Sequence, residues 1–188
     1  MDAITLITVQ LEMVSLMMHN VIGEIPDELW TRSPYPGANP LGFTAWHMPA
    51  TRDWALHTSI QGVPEVRERA PFASTPVNQP HPPFGMSAGD AAAIARAVTR
   101  AEVLAYADAV REAMVSWLGT LAEGDLDRVP DVRRHAFRLP AHQAPGYVDE
   151  VNRMSGFPVW KLLSGPCYGH LREHVGTIVS GVESLRAQ

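Results

Sequence analysis

Apolar side chains recur at helical spacing through most of the chain, and no stretch of strict apolar–polar alternation competes with them. The first such segment runs from about Ala3 to Ile22, with Ile4, Ile7, Leu11, Val14 and Met18 in register. Its polar residues Thr5, Thr8, Glu12, Ser15 and His19 form only a narrow stripe. That pattern predicts a helix buried on several sides, inside a bundle or against a partner subunit. After the turn-rich TRSPYPGANP, a second helix is expected to begin with Asn39 as N-cap and Pro40 at the first helical position, where the missing N–H costs nothing. It continues through Trp46, His47, Trp54 and Ile60 and stops at Gly62 and Pro64. Pro49 falls inside it and should free the Ala45 carbonyl and bend the helix beside His47.

Residues 63–86 hold six of the sixteen prolines and show no periodicity, so they read as a loop or lid. Ser87 and Asp90 form an S-x-x-D capping signal. A third helix follows through Ile94, Val98, Ala101, Leu104, Met114, Trp117 and Leu121 and ends at Gly124. At 1.5 Å per residue it would span roughly 50 Å, so a bend or break near its middle is expected. Residues 125–158 form a mixed connection with one short helical piece around Tyr147 to Met154, and a connection of that length commonly serves a site. The fourth helix occupies about Val159 to Leu185, interrupted by SGP at 164–166.

Composition narrows the function classes. With 188 residues, 46% of them hydrophobic, the chain can bury one sizeable core, so residues 1–188 read as a single all-α domain. A net charge of -5 and the absence of any Lys or Arg run speak against nucleic-acid or anionic-membrane binding. The apolar N-terminus lacks a positive leader region and carries Asp2, Gln10 and Glu12, so it reads as a core helix rather than a signal peptide. No 18 apolar residues run uninterrupted, so no membrane span is expected. The single cysteine, Cys167, rules out an internal disulfide and points to the reducing cytoplasm.

Chemistry concentrates in the histidines. His170 and His174 in GHLREHVGTI are four apart, about 40° around a helix and roughly 6 Å along it, so both imidazoles can reach one ion. Their helix face also carries Leu163, Cys167 and Gly181, the side expected to be buried, where an unpaired imidazole is costly and a metal would satisfy it. His47, between Trp46, Met48 and Pro49, is the best third ligand. His19, His57, His81, His135 and His142 read as loop or solvent-facing residues.

The segment NPLGFTAWHMPATRDWALHTSIQG followed much later by GHLREHVGTI resembles the DinB/YfiT-like four-helix bundle family. The matching positions are His47, His170, His174, Gly176 and Ile178. The resemblance implies a DinB-like four-helix bundle with a long crossover connection, often a homodimer. It also implies one divalent ion held by the three histidines with water in the remaining positions. Characterised relatives include thiol-dependent transferases and isomerases and some hydrolases. This chain departs from the shorter family form in its proline-rich stretch, in the connection 125–158 and in Pro166 one turn before His170. The first two bear on the substrate.

Three neutral imidazoles and an open position suit a catalytic metal rather than a structural one. Zinc leads, with nickel or iron compatible with the same ligands. The residue after His170 is Leu171, which disfavours H-E-x-x-H protease chemistry, and Glu173 is expected on the solvated side. Glu12, Trp54 and Cys167 are further candidates for pocket lining. Three readings stay open: a metal-dependent transferase that activates a low-molecular-weight thiol toward a small-molecule substrate, a metal-dependent hydrolase, and a non-catalytic metal- or ligand-binding bundle.

Overall fold

The computed structural model describes residues 2–138 and 140–188. Its helices are α1 (Ala3–Gly23), α2 (Leu41–Asp53), α3 (Ala88–Ala97), α4 (Arg100–Leu118), the short α5 (Val132–Ala136), α6 (Pro145–Met154) and α7 (Val159–Ser164), and the long α8 (His170–Arg186). No strand occurs among the described residues. Helix α1 packs along α4 and α8, and α2 packs on α3, α4 and α8, which closes a four-membered bundle. Two π-helical turns interrupt it: Trp54–Gln61 prolongs α2, and Gly165–Gly169 joins α7 to α8.

Local signals start and stop these elements. Asp2 caps α1 by accepting the Thr5 N–H at 2.7 Å. Pro40, not Asn39, occupies the N-cap of α2, and the helix begins at Leu41 and continues through Pro49 to Asp53. Gly42 is required there because a Cβ would overlap the Trp30 indole, which reaches across to donate to the Val98 carbonyl at 3.0 Å. That carbonyl lies in the break between α3 and α4. Ser87 with Asp90, and Thr99 with Glu102, each form a reciprocal capping box, so the third helix is broken, as its length suggested, into two helices meeting at Val98 and Thr99, ahead of its middle. Helix α4 is capped at Gly119, before the expected stop at Gly124. Gly62 closes the first π turn at φ +69°, and its missing side chain leaves room for the His135 ring. Helix α6 covers the short helical piece expected around Tyr147 to Met154, and α5 adds one that periodicity did not mark.

The order of burial differs from the sequence expectation. Helix α1 has the length and apolar composition of a bilayer-crossing helix, yet only 33% of that stretch is buried, and Leu6, Val9, Met13, Leu16 and Met17 face outward. The wholly buried helix is α2, all thirteen residues of it, including Thr44, His47, Thr51, Arg52 and Asp53. Its polar groups are tolerable only because partners distant in sequence satisfy them. Those partners shape the site.

Candidate metal centre

Two buried polar anchors hold the C-terminal end of α2. Asp53, fully enclosed, accepts from the backbone N–H groups of Val66 and Arg67 at 2.9 and 3.1 Å and from the Tyr106 hydroxyl at 2.7 Å, and its Oδ1 lies 2.6 Å from His57 Nδ1. Arg67 in turn pairs with Glu65 at 2.7 Å and donates to the carbonyls of Gln79 and His81, both at 3.1 Å. The proline-rich stretch is thereby fastened to the bundle. Arg52, also fully enclosed, donates to Ser15 Oγ of α1 at 2.6 Å and to the Cys167 carbonyl at 3.0 Å; among the described residues it has no carboxylate partner and its Nε is unpartnered. Burial without a carboxylate lowers its guanidinium to about 10. One side chain thus ties α1, α2 and the π turn that immediately precedes His170.

The three histidines singled out by sequence come together within this frame. Every pair of their ligand nitrogens lies within 4.8 Å. His47 Nε2 stands 2.8 Å from His170 Nε2, and the His47 and His174 ring centroids are 4.8 Å apart at 89°. His47 Nδ1 lies 2.6 Å from the Pro83 carbonyl, which can only accept, so Nδ1 carries the proton and Nε2 turns its lone pair toward the other two rings. Phe43 stacks on the same ring at 5.6 Å. The anchored proline-rich stretch therefore supplies the outer hydrogen bond that metal-ligating histidines characteristically make. Periodicity could not show this, although the density of prolines there was visible.

The residues fit a cation. Both nitrogens of His174 are enclosed without a hydrogen-bond partner among the described residues, which is costly for a buried imidazole unless something else takes a lone pair. Two imidazole nitrogens each ~2.0–2.1 Å from one ion stand about 3 Å apart, close to the His47–His170 spacing. Burial, reinforced by the neighbouring rings, pushes His47 down to about 3 and His174 down to about 4, and burial also lowers His170. All three are neutral near pH 7, the form that binds metal.

Residues 10–144 match the sequence profile of a family described as the DinB superfamily, close to three quarters of the chain. The chain belongs to the DinB superfamily. The matched part of this DinB protein includes His47 and stops before α6, so His170 and His174 rest on the geometry described above. No curated protein matches it.

Other residues singled out by sequence lie elsewhere. Glu12 pairs with Arg111 at 2.8 Å on the α1–α4 surface. Trp54 is a core residue whose Nε1 donates to the Tyr147 hydroxyl at 2.9 Å. Cys167 is buried and stands outside the histidine group; burial pushes its thiol up to about 12. His57 and His142, expected at the surface, are buried. Beside the histidines a cavity of about 680 Å³ opens, with His170, Thr51 and Phe84 in its wall and α6 and α7 around its mouth. Glu173, exposed as expected, lines that cavity as well.

The depressed histidines set a pH response in the metal-free protein. Their folded-state values lie below the ordinary 6.5, so the unfolded chain takes up protons first as the pH falls. Their contribution to stability is intact above about 6.5 and is lost as the pH falls toward about 4 for His174 and about 3 for His47, at up to about 1.4 kcal/mol per pH unit for each ring. Urea midpoints of the metal-free protein should fall steadily between about pH 6.5 and 4.5. A flat profile over that window would mean that the rings accept protons without leaving the folded state.

Proposed function

We propose that the chain is a metal-dependent transferase, with His47, His170 and His174 as ligands of one divalent ion, zinc first, and a low-molecular-weight thiol as cosubstrate. The observation that carries this reading is the convergence of three neutral imidazoles, one lacking any hydrogen-bond partner among the described residues, with His170 of the group in the wall of a cavity large enough for a small organic molecule. When bound, the ion supplies Lewis acidity that makes a thiol a thiolate near neutral pH and polarises an electrophile. Three protein ligands leave room for that chemistry, whereas a structural zinc is closed by four.

The protein's own groups do the rest. The Pro83 carbonyl fixes the His47 tautomer, and Arg52 holds the π turn that delivers His170 to the same point. Phe84, lying edge-on against Trp54 at 4.8 Å, keeps one cavity wall apolar and rigid. In the overall step the thiol proton leaves to solvent through the open mouth, one sulfur–carbon bond forms, and the electrophile's leaving group departs with its bonding electron pair.

Protein prepared from metal-replete cells should carry about one divalent ion per chain, and it should accelerate displacement of chloride from 1-chloro-2,4-dinitrobenzene by small thiols. The acceleration should disappear on chelation and return with zinc. Stoichiometric metal with no thiol-dependent rate, but with hydrolysis of activated esters, would transfer the assignment to a hydrolase.

A further inference from the structure

The cavity beside His170 has an unusual inventory of charge. The chain holds fifteen basic residues, and the sequence shows that all but one are arginine; the sole lysine, Lys161, is in this cavity wall. Its Nζ sits 3.7 Å from the centroid of the Phe157 ring, which holds the ammonium without neutralising it. A second cation at the mouth, Arg153, is consumed by Glu150 one turn earlier on α6. Glu173, on α8 beside His174, also lines the cavity. Among the described residues neither Lys161 nor Glu173 takes part in an ion pair. One unpaired positive and one unpaired negative group therefore face a single cavity, between aromatic surfaces from Phe84, Phe157 and Trp160.

We infer that the cavity takes a zwitterion of amino-acid to dipeptide size, its carboxylate toward Lys161, its ammonium toward Glu173 and its apolar side chain against the aromatic wall. A simple anion would leave Glu173 unmatched and repelled, and a simple cation would do the same to Lys161; only a ligand carrying both charges satisfies both. The volume of about 680 Å³ agrees with that size. Except for Phe84, the residues that make this selection lie beyond the family match at 10–144, on α7, α8 and the turn before α7. The inference rests on the proposed reading of the site and narrows its cosubstrate to thiols that bear a free amino and a free carboxylate group.

Binding of a probe without a thiol separates the two ideas. Zinc-loaded protein is titrated with L-methionine, L-methionine methyl ester and N-acetyl-L-methionine, with binding followed by calorimetry and by the fluorescence of the half-exposed Trp160. Methionine should bind best, with the ester and the N-acetyl form each weaker by roughly three- to fivefold, the range of a solvent-exposed ion pair. Lys161→Met should abolish the penalty for the ester and keep that for the N-acetyl form, and Glu173→Gln should do the converse. Zinc content is checked in each variant, because Glu173 adjoins a ligand. Equal affinities for the three probes, no methionine binding at millimolar concentration, or penalties unchanged in both variants would each overturn the inference. Thiol conjugation that proceeds without this discrimination would leave the transferase reading standing alone, and discrimination without conjugation would leave the zwitterion site standing alone.

Discussion

Replacing His47 with alanine lowers the affinity for a divalent ion at least about a hundredfold, since groups one shell further out are already worth ten- to a hundredfold. Replacing His174 does the same, yet the two changes part company in the metal-free protein. His47 donates to the Pro83 carbonyl at 2.6 Å and stacks on Phe43, so its loss leaves a buried carbonyl unpaired and a gap beside the ring, costing about 1–3 kcal/mol. Among the described residues His174 has no hydrogen-bond partner on either nitrogen, so His174→Ala should change metal-free stability by less than about 1 kcal/mol. Paired measurements, ion affinity by competition with a chromogenic chelator and stability by urea unfolding, test both halves. If the rings were merely core histidines, removing His174 would alter only stability. Unchanged ion affinity in either variant would eliminate the metal centre.

That asymmetry also shows what periodicity could and could not reveal. Helical spacing exposed the all-α architecture, and the four-residue step from His170 to His174 with the isolated His47 on an apolar segment pointed to the rings that converge. What it could not reveal is how polar groups inside a helix are satisfied. The apolar surplus of α1 suggested deep burial, whereas α2 takes the centre, because Arg52 finds Ser15 and the Cys167 carbonyl, and Asp53 finds Val66, Arg67 and Tyr106. These partners are separated by 13 to 115 residues, beyond any local pattern. The break at Val98 was different in kind. Its signal, T-x-x-E at Thr99 and Glu102, was present but embedded in a run whose apolar spacing continues unbroken on either side.

Asp53 is where the fold and the site share one support, and Asp53→Ala should be the most damaging single change outside the histidines. The carboxylate accepts from two backbone N–H groups and the Tyr106 hydroxyl and lies against His57, all within a region closed to water. Its removal leaves several buried donors unpaired and takes a counter-charge away from enclosed Arg67, a loss of about 3–5 kcal/mol on the scale of broken buried charge networks. An asparagine side chain would keep the volume but turn an amide donor toward groups that are themselves donors, so Asp53→Asn should recover only part of the loss. The consequence reaches the histidines through a continuous path. Val66 and Arg67 lose their anchor, the Arg67 guanidinium no longer fixes the Gln79 and His81 carbonyls, and Pro83, just beyond them, ceases to hold the His47 ring. Ion affinity should therefore fall by about ten- to a hundredfold even in the fraction that remains folded. Tyr106→Phe is the control: it removes one hydrogen bond to Asp53 but leaves the backbone anchor of the loop, and should cost about 1 kcal/mol with little change in ion affinity. Equal effects of Tyr106→Phe and Asp53→Ala on ion binding would show that the loop does not transmit support to His47 by this route.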